Sequence, residues 1–107
     1  MALLVYMTAG SAEEAERIAA DLVEHRLAAC VNIMQPIRSV YKWKGEICNA
    51  EEVPFIAKTD EDRFEALSER VRLLHSYETP CIVALPIVHG DAAFLDWITQ
   101  ATHPEEK

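Results

Sequence analysis

The stretch IRSVYKWK, residues 37–44, decides the fold that this sequence predicts. Its side chains alternate between two faces, and a period of two residues is typical of a β-strand. Gly45 supplies a turn directly after this stretch, and Val53–Lys58 returns as another strand. The middle of the chain therefore predicts a long antiparallel hairpin.

Three short apolar runs flank this hairpin in the sequence. Each has the length of a strand, and continuous apolar runs of this kind are typical of strands that are buried on both faces. Pro36 interrupts the second run before the hairpin begins. The three runs are Ala2–Met7, Leu27–Met34 and Pro80–Ile87.

Helix signals separate these strands. Ser11 stands three residues before Glu14, a capping-box pattern that opens a helix ending near His25. Thr59 is expected to cap a second helix with an acidic first turn, and Asp91 is expected to open a third helix. The apolar residues expected to face inward on the third helix are Phe94, Leu95 and Ile98.

The order of these elements predicts an α+β protein with the ferredoxin-like βαββαβ plan. We expect an antiparallel sheet, a long hairpin between its second and third strands, and a C-terminal helix. The length of 107 residues fits a single domain, 1–107. Helices on one face leave the other face open, and Val40 lies opposite Tyr41 and Trp43 on the hairpin. Apolar groups on both faces are typical of an interface, so the sequence predicts self-association.

Charge and cysteine content narrow the class of protein. Ten Lys and Arg residues against eighteen Asp and Glu residues give a net charge of −8, which nucleic acid and anionic membranes repel. No apolar run approaches the roughly 20 residues that cross a bilayer. Cys30, Cys48 and Cys81 are an odd number of thiols without a CxxC pair, which favours reduced cysteines and a cytoplasmic location.

Several motifs stand out in order along the chain. They are RLAACVN at 26–32, SVYKWKGEI at 39–47, Lys58-Thr59 and LHSYETP at 74–80, followed by Trp97 in the last helix. Together they resemble the CutA family of divalent-cation-tolerance proteins. The resemblance implies tight homotrimers, built through extended strands as in PII-type signal proteins. It also implies a role in tolerance of divalent metals, copper foremost, and no established reaction.

His75 is the candidate metal ligand at the end of the second predicted helix. Its imidazole and the Glu78 carboxylate are close enough in sequence to reach one cation. The resemblance implies a copper site made from a cysteine and a His-His pair, whose positions here are Met7, Leu74 and His75. Because only His75 keeps an imidazole, we expect copper or another divalent cation to bind weakly at His75, Met7 and Glu78. The alternative is a helix-end histidine that contacts the last carbonyls of its helix.

A small-ligand pocket between subunits is the second candidate site. Lys58 ends an otherwise apolar strand, so its ammonium needs a partner, either Glu78 in an interface ion pair or an anionic ligand. The residues assigned to this pocket are Tyr41, Trp43, Lys58, Tyr77 and Trp97. It supports an alternative function, a PII-like signalling module. His25, His89 and His103 are interpreted as surface residues.

Motifs of catalysis are missing from the sequence. It contains no glycine-rich phosphate loop, no HExxH, no nucleophile elbow and no CxxC pair. The segment 8–11 also lacks the arginine-bearing loop of acylphosphatase, which shares the fold class. These absences predict that the protein is not an enzyme, and the resemblance implies a trimeric protein of divalent-metal tolerance or response.

Overall fold

A computed structural model describes residues 1–103, which form five strands and three α-helices; the last four residues of the predicted 1–107 domain lie outside the described residues. A short 3₁₀ helix, Glu61–Arg63, joins the fourth strand to the second helix. The elements are β1 Ala2–Ala9, α1 Ala12–Glu24, β2 Cys30–Ile33, β3 Ile37–Trp43, β4 Glu46–Asp60, α2 Phe64–Leu74, β5 Ile82–Pro86 and α3 Ala92–Thr102.

The sheet is antiparallel and has the strand order β2-β4-β1-β5, which confirms the ferredoxin-like plan. β4 is fifteen residues long and changes partner along its length. Val53–Asp60 pairs with β1, whereas Glu46–Glu52 pairs with β3. We call β3 together with Glu46–Glu52 the ribbon. The ribbon confirms the predicted hairpin and its turn at Gly45, but its return strand is Glu46–Glu52, whereas the predicted return strand, Val53–Lys58, pairs with β1. The described chain measures 52 × 27 × 22 Å.

The turn of the ribbon has the geometry that its two residues favour. Lys44 and Gly45 have φ angles of 51° and 82°. Two consecutive residues with positive φ are typical of the type I′ turn, whose twist matches that of the flanking strands. Glycine adopts this region without the steric penalty of a Cβ. Gly45 therefore supports the tight reversal that the sequence predicts.

The hydrophobic core lies between one face of the sheet and helices α1 and α2. Strand alternation places the odd-numbered residues of β1 and Phe55 and Ala57 of β4 on this face. Burial of each large apolar side chain contributes roughly 1.5–3 kcal/mol. The largest fully buried apolar residues are Val5, Met7, Ile18, Leu22, Phe55, Leu67, Val71 and Ile98.

The second face of the sheet is covered only in part. Lys58 lies on this second face, whereas its neighbour Ala57 lies on the core face. The Lys58 Nζ is 5.9 Å from the ring centre of Phe94 in α3. α3 therefore packs against the second face, while Val83 and Leu85 of β5 stay exposed. Ile98 faces inward as predicted. Phe94 is 43% exposed, so the prediction that it faces inward is wrong. None of the helices within residues 1–103 is long and apolar enough to cross a membrane.

Two of the three predicted helix caps are confirmed. The Ser11 hydroxyl accepts the N–H of Glu14 at 3.1 Å, and the Asp91 carboxylate accepts the N–H of Phe94 at 3.1 Å. Each cap satisfies a backbone donor that has no partner within its helix. The third predicted cap, Thr59, is wrong.

Thr59 belongs to β4 and does not cap a helix. It pairs with Leu3 across the sheet, and its fully buried hydroxyl donates to the Leu27 carbonyl at 2.8 Å. Pairing with β1 thus extends the strand to Asp60, and the chain enters α2 through Glu61–Arg63. The buried hydroxyl of Thr59 is thus satisfied by a carbonyl partner, and it is not available to cap α2.

Candidate functional site at the base of the ribbon

His75 ends α2, and both of its ring nitrogens are hydrogen-bonded. Nδ1 accepts the backbone N–H of Tyr77 at 3.0 Å, so Nε2 carries the proton and donates to the Thr8 carbonyl at 2.7 Å. The side chain is wholly buried. The alternative prediction of contacts with the carbonyls of its own helix is corrected, because the acceptor lies on β1. The ring joins the loop after α2 to that strand.

Glu14 fastens the same loop to the start of α1. Its Oε1 accepts the Gly10 N–H at 3.2 Å and the Ser76 hydroxyl at 3.1 Å, and its Oε2 accepts the Ser76 N–H at 2.7 Å. Burial alone would raise the pKa of Glu14, but the hydrogen bonds from Ser76 and Gly10 outweigh it and hold the pKa below its usual range. Glu14 is therefore a buried carboxylate that stays ionised.

A second buried carboxylate, Glu52, lies where the ribbon leaves the sheet. Its Oε1 accepts the Ser39 hydroxyl at 2.7 Å, and its Oε2 accepts the Tyr77 hydroxyl at 2.8 Å. Burial, followed by the hydrogen bond to Glu52, raises the pKa of Tyr77 well above its ordinary value. Tyr77 therefore remains a donor, and these three residues form what we call the Glu52 network.

The Glu52 network lies beneath an open cleft of about 690 Å³. The cleft brings together three of the predicted pocket residues, Tyr41, Trp43 and Tyr77, and adds the exposed carboxylate of Glu78. None of its described lining residues carries a positive charge. Aromatic faces and carboxylates attract cations, so this cleft suits a cationic or neutral ligand better than an anion. The other lining residues are Tyr6, Thr8, Ser39, Val40, Ala50, Glu52, Thr79 and Cys81.

Cys81 places a thiol on the wall of the cleft. Burial and the nearby charge of Glu52 raise the pKa of this thiol. The thiolate is the nucleophilic form, and catalytic cysteines have a lowered pKa. Cys81 therefore lacks the electrostatic activation of a catalytic cysteine.

Lys58 and Trp97 lie away from the cleft, on the face that α3 covers. Lys58 donates to the Asn32 side-chain oxygen at 2.6 Å, so within one chain its partner is Asn32 and not Glu78. Phe94 lies between the two predicted residues, 5.9 Å from Nζ of Lys58 and 5.5 Å from the ring of Trp97, measured between centres. One chain thus divides the five predicted pocket residues between two places. A pocket that joins all five at a subunit interface stays a prediction.

The predicted metal ligands His75, Met7 and Glu78 are also in different surroundings. Met7 is fully buried in the core, His75 has both nitrogens occupied, and Glu78 is exposed on the cleft. This metal site stays a prediction, and an ion that binds there must break the hydrogen bond between His75 and Tyr77.

Sequence reasoning missed Glu52 and Ser39. Ser39 lies within the SVYKWKGEI motif, but its hydroxyl carries no local signal for its role. Glu52 directly precedes the apolar run at 53–57. A carboxylate next to a predicted buried strand is a signal for a buried charge, because Glu is seldom buried without a partner. The partners of Glu52 are 13 and 25 residues away, which no periodicity reveals.

Within residues 1–103, one group of three potential metal-ligating side chains lies close together. It consists of Asp60, Asp62 and His103, none of which lines the cleft. Interpretation of the sequence placed His103 among the surface residues. The structure leaves its ring 32% exposed and places it beside two carboxylates.

Comparisons with known proteins agree with the motifs. The profile of the family described as CutA1 divalent ion tolerance protein matches residues 3–101. The divalent-cation tolerance protein CutA of Archaeoglobus fulgidus is 51% identical over 96 residues, covering 90% of this chain and 93% of that protein. Its counterpart from Thermus thermophilus is 46% identical over 99 residues, covering 92% and 96%.

Solved structures give the same result for the fold. The periplasmic divalent cation tolerance protein CutA from Archaeoglobus fulgidus superimposes with a TM-score of 0.93 and 48% identity, covering 96% of this chain and all of that one. The divalent cation tolerance protein from Thermus thermophilus gives 0.94 and 46%, with the same coverage. With almost the whole chain matched in both sequence and structure, this protein belongs to the CutA1 family of divalent ion tolerance proteins.

Proposed function

We propose that this protein serves in tolerance of, or response to, divalent metal ions, copper foremost, and that it binds these ions weakly as a homotrimer. Family membership supports the divalent-metal part, since the relatives are named divalent-cation tolerance proteins. Those names describe tolerance and no reaction. The proposed role is therefore binding and response, without catalysis.

The observation that supports weak binding is the state of His75. An ion that takes Nδ1 must displace the Tyr77 N–H, which lies 3.0 Å from that nitrogen. Leaving a buried donor without a partner costs about 1–3 kcal/mol. A cost of this size lowers affinity by roughly five- to 150-fold. Copper binding at micromolar affinity or poorer follows for a site that depends on this ring.

Calorimetric titration of the purified protein tests the proposed function. Copper(II) is expected to bind more tightly than nickel(II), cobalt(II) or manganese(II), because imidazole ligands follow the Irving–Williams order. Magnesium serves as the control, since it prefers sites made only of oxygen ligands. Absence of heat with every transition metal up to millimolar concentration would contradict the proposal, as would tighter binding of magnesium than of copper.

Exposed apolar side chains support the homotrimer. On the ribbon Val40 is 67% and Ile47 76% exposed, and Tyr41 and Trp43 also face solvent. Apolar side chains exposed on both faces of a ribbon are typical of a protein interface. Multi-angle light scattering should give a mass about three times that of the 12.1 kDa chain. A mass equal to one chain would contradict this part of the proposal.

A PII-like signalling module is the second candidate function, and the cleft of about 690 Å³ favours it. A small ligand held between subunits would raise the melting temperature of metal-free protein. The lining of the cleft favours cationic or neutral compounds over anions. A screen of such compounds in the presence of a chelator tests this candidate, with Tyr77→Phe as the variant that alters the Glu52 network. A lack of any shift would count against it.

A cytoplasmic location is also part of the proposal. Cys30, Cys48 and Cys81 are free thiols, which are typical of a reducing compartment. The relative from Archaeoglobus fulgidus is described as periplasmic, so the two locations need a direct test. Fractionation of the native cells, followed by immunodetection, distinguishes them. Recovery of the protein outside the cytoplasmic fraction would refute the cytoplasmic assignment.

A further inference from the structure

We propose that Asp60, Asp62 and His103 form a binding site for a divalent transition-metal ion at the end of the domain opposite the ribbon turn. The inference rests on the proposed metal-binding function and gives it a second location, away from His75. No motif in the sequence predicted this site. It arises because three elements end at one place: β4, the 3₁₀ helix Glu61–Arg63, and α3.

The three side chains are close enough to share one ion. One ligand atom from each residue lies within 4.8 Å of the other two. The Asp62 oxygens are 3.0 and 2.9 Å from Nε2 of His103. Metal–ligand bonds of about 2 Å place neighbouring ligand atoms at most about 4 Å apart. Asp60 Oδ2 is 3.9 Å from Nδ1 of His103, so closing the group on an ion at Nε2 requires the Asp60 carboxylate to move toward that nitrogen.

The ring of His103 is already oriented as a ligand. Its Nδ1 donates to the Thr99 carbonyl at 2.7 Å, which directs Nε2 toward Asp62. Metal-bound histidines commonly donate their other ring N–H to a backbone carbonyl or a carboxylate, and that contact fixes the tautomer and the ring plane. In the metal-free chain Nε2–H donates to the Asp62 carboxylate, and an ion would take the place of that proton.

The surrounding backbone holds the site together, and an ion bound to Asp60 would displace the Met1 ammonium, which is 3.4 Å from its Oδ1. Arg63 Nε donates to the Thr102 carbonyl at 2.7 Å, which joins the end of α3 to the 3₁₀ helix. His103 follows the C-terminus of α3, where the helix dipole presents its negative end. Asp60 is 14% and Asp62 65% exposed at the side chain, so an ion has access from solvent.

The donor set selects the class of ion. One imidazole nitrogen with two carboxylates suits copper(II), zinc(II) or nickel(II), with copper(II) the tightest. Magnesium and calcium prefer oxygen ligands alone and gain little from the imidazole. The competing interpretation is that His103 and Asp62 form only an ion pair that holds α3 in place. The two interpretations differ in what copper does to this ring.

Proton NMR of the histidine rings distinguishes them in the unmodified protein. The chain has four histidines, and bound copper(II) broadens the signals of its ligands first. At substoichiometric copper we expect the His103 ring signals to disappear before those of His25. His25 is a matched control, because its ring is also exposed and lies 3.5 Å from one carboxylate, Asp21, and 2.9 Å from a backbone carbonyl. Simultaneous broadening of both rings would overturn the proposal.

Calorimetry with variants gives a second, independent test. His103→Gln and Asp62→Asn should each weaken copper(II) binding at least tenfold, whereas His25→Gln should not change it. Asp62→Asn keeps an oxygen acceptor for the ring, so the attachment of α3 is preserved if circular dichroism gives an unchanged melting curve. Unchanged copper affinity in both site variants would overturn this inference.

The outcomes also separate this site from the broader proposal. Loss of copper binding in His75→Gln, with His103→Gln unaffected, would overturn the site and leave the metal-binding function intact. Lack of copper binding by the unmodified protein would overturn both. Selective broadening of His103 together with tenfold weaker binding by His103→Gln would support both.

Discussion

Glu14→Gln tests the physical account of the loop after α2. The carboxylate accepts three hydrogen bonds, two from Ser76 and one from Gly10. A glutamine side chain keeps one oxygen, but its NH₂ group must face at least one of the same donors. Loss of one hydrogen bond to a buried charged group costs about 1.5–3 kcal/mol. At pH 7 we therefore expect the free energy of unfolding to fall by about that amount.

Urea denaturation at fixed protein concentration measures this loss, since association also contributes to the stability of an oligomer. Glu13→Gln is the matched control. Glu13 occupies the same first turn of α1 and is exposed, so its substitution should change the free energy by less than about 0.5 kcal/mol. Equal unfolding midpoints for Glu14→Gln and the unmodified protein would refute the account of this carboxylate.

The pH dependence gives the same prediction a second readout. The folded chain lowers the pKa of Glu14 from its ordinary value of 4.5. Its contribution is therefore fully present above that value and is lost as pH falls through the lower pKa of the folded state. The stability difference between the unmodified protein and Glu14→Gln should be constant near neutral pH and shrink below about pH 4.5. A difference that grows on acidification would contradict the sign of this argument.

Three further predictions concern the cleft and the ribbon. Tyr77→Phe removes the donor to Glu52 and should lower the free energy of unfolding, measured in urea, by about 1.5–3 kcal/mol. Tyr6→Phe, on the same cleft, should lower it by less than about 0.5 kcal/mol, and equal losses would contradict the role of the Tyr77 hydroxyl. Trp43→Asp places a charge on the proposed subunit interface and should lower the mass measured by light scattering; an unchanged mass would place that interface elsewhere. Gly45→Ala forces a Cβ into a φ of 82° and should lower stability by about 1 kcal/mol, and an unchanged melting temperature would show that the turn relaxes.

The parts of the fold that local chemistry controls were predictable from the sequence. Ser11 and Asp91 cap their helices because a short oxygen-bearing side chain accepts from a donor only three residues ahead. Thr59 carries a similar local signal, yet its pairing with Leu3, 56 positions earlier in the chain, decided its structure. The same residue type suits a cap or a strand, and only the sheet partner distinguishes them.

The candidate site depended more on distant contacts and was harder to predict. Tyr41, Trp43 and Tyr77 were identified from motifs and do meet at the cleft. Lys58 was assigned to the same pocket, and it shares the sheet face of Tyr6, but it lies farther along β4, beside Asn32 and Phe94. The group at His103 could not have been predicted, because it requires knowing that α3 ends beside the 3₁₀ helix.

The unbroken path of β4 constrains how this protein can change in length. Glu52 pairs with Ile37, and the very next residue, Val53, pairs with Ala9. Side chains alternate strictly along a strand, so one inserted residue at this junction would turn every ribbon side chain of β4 to the opposite face. Two inserted residues would keep the faces and extend the strand by about 7 Å. Length variation at this junction among relatives should therefore occur in even steps, while the core stays undisturbed.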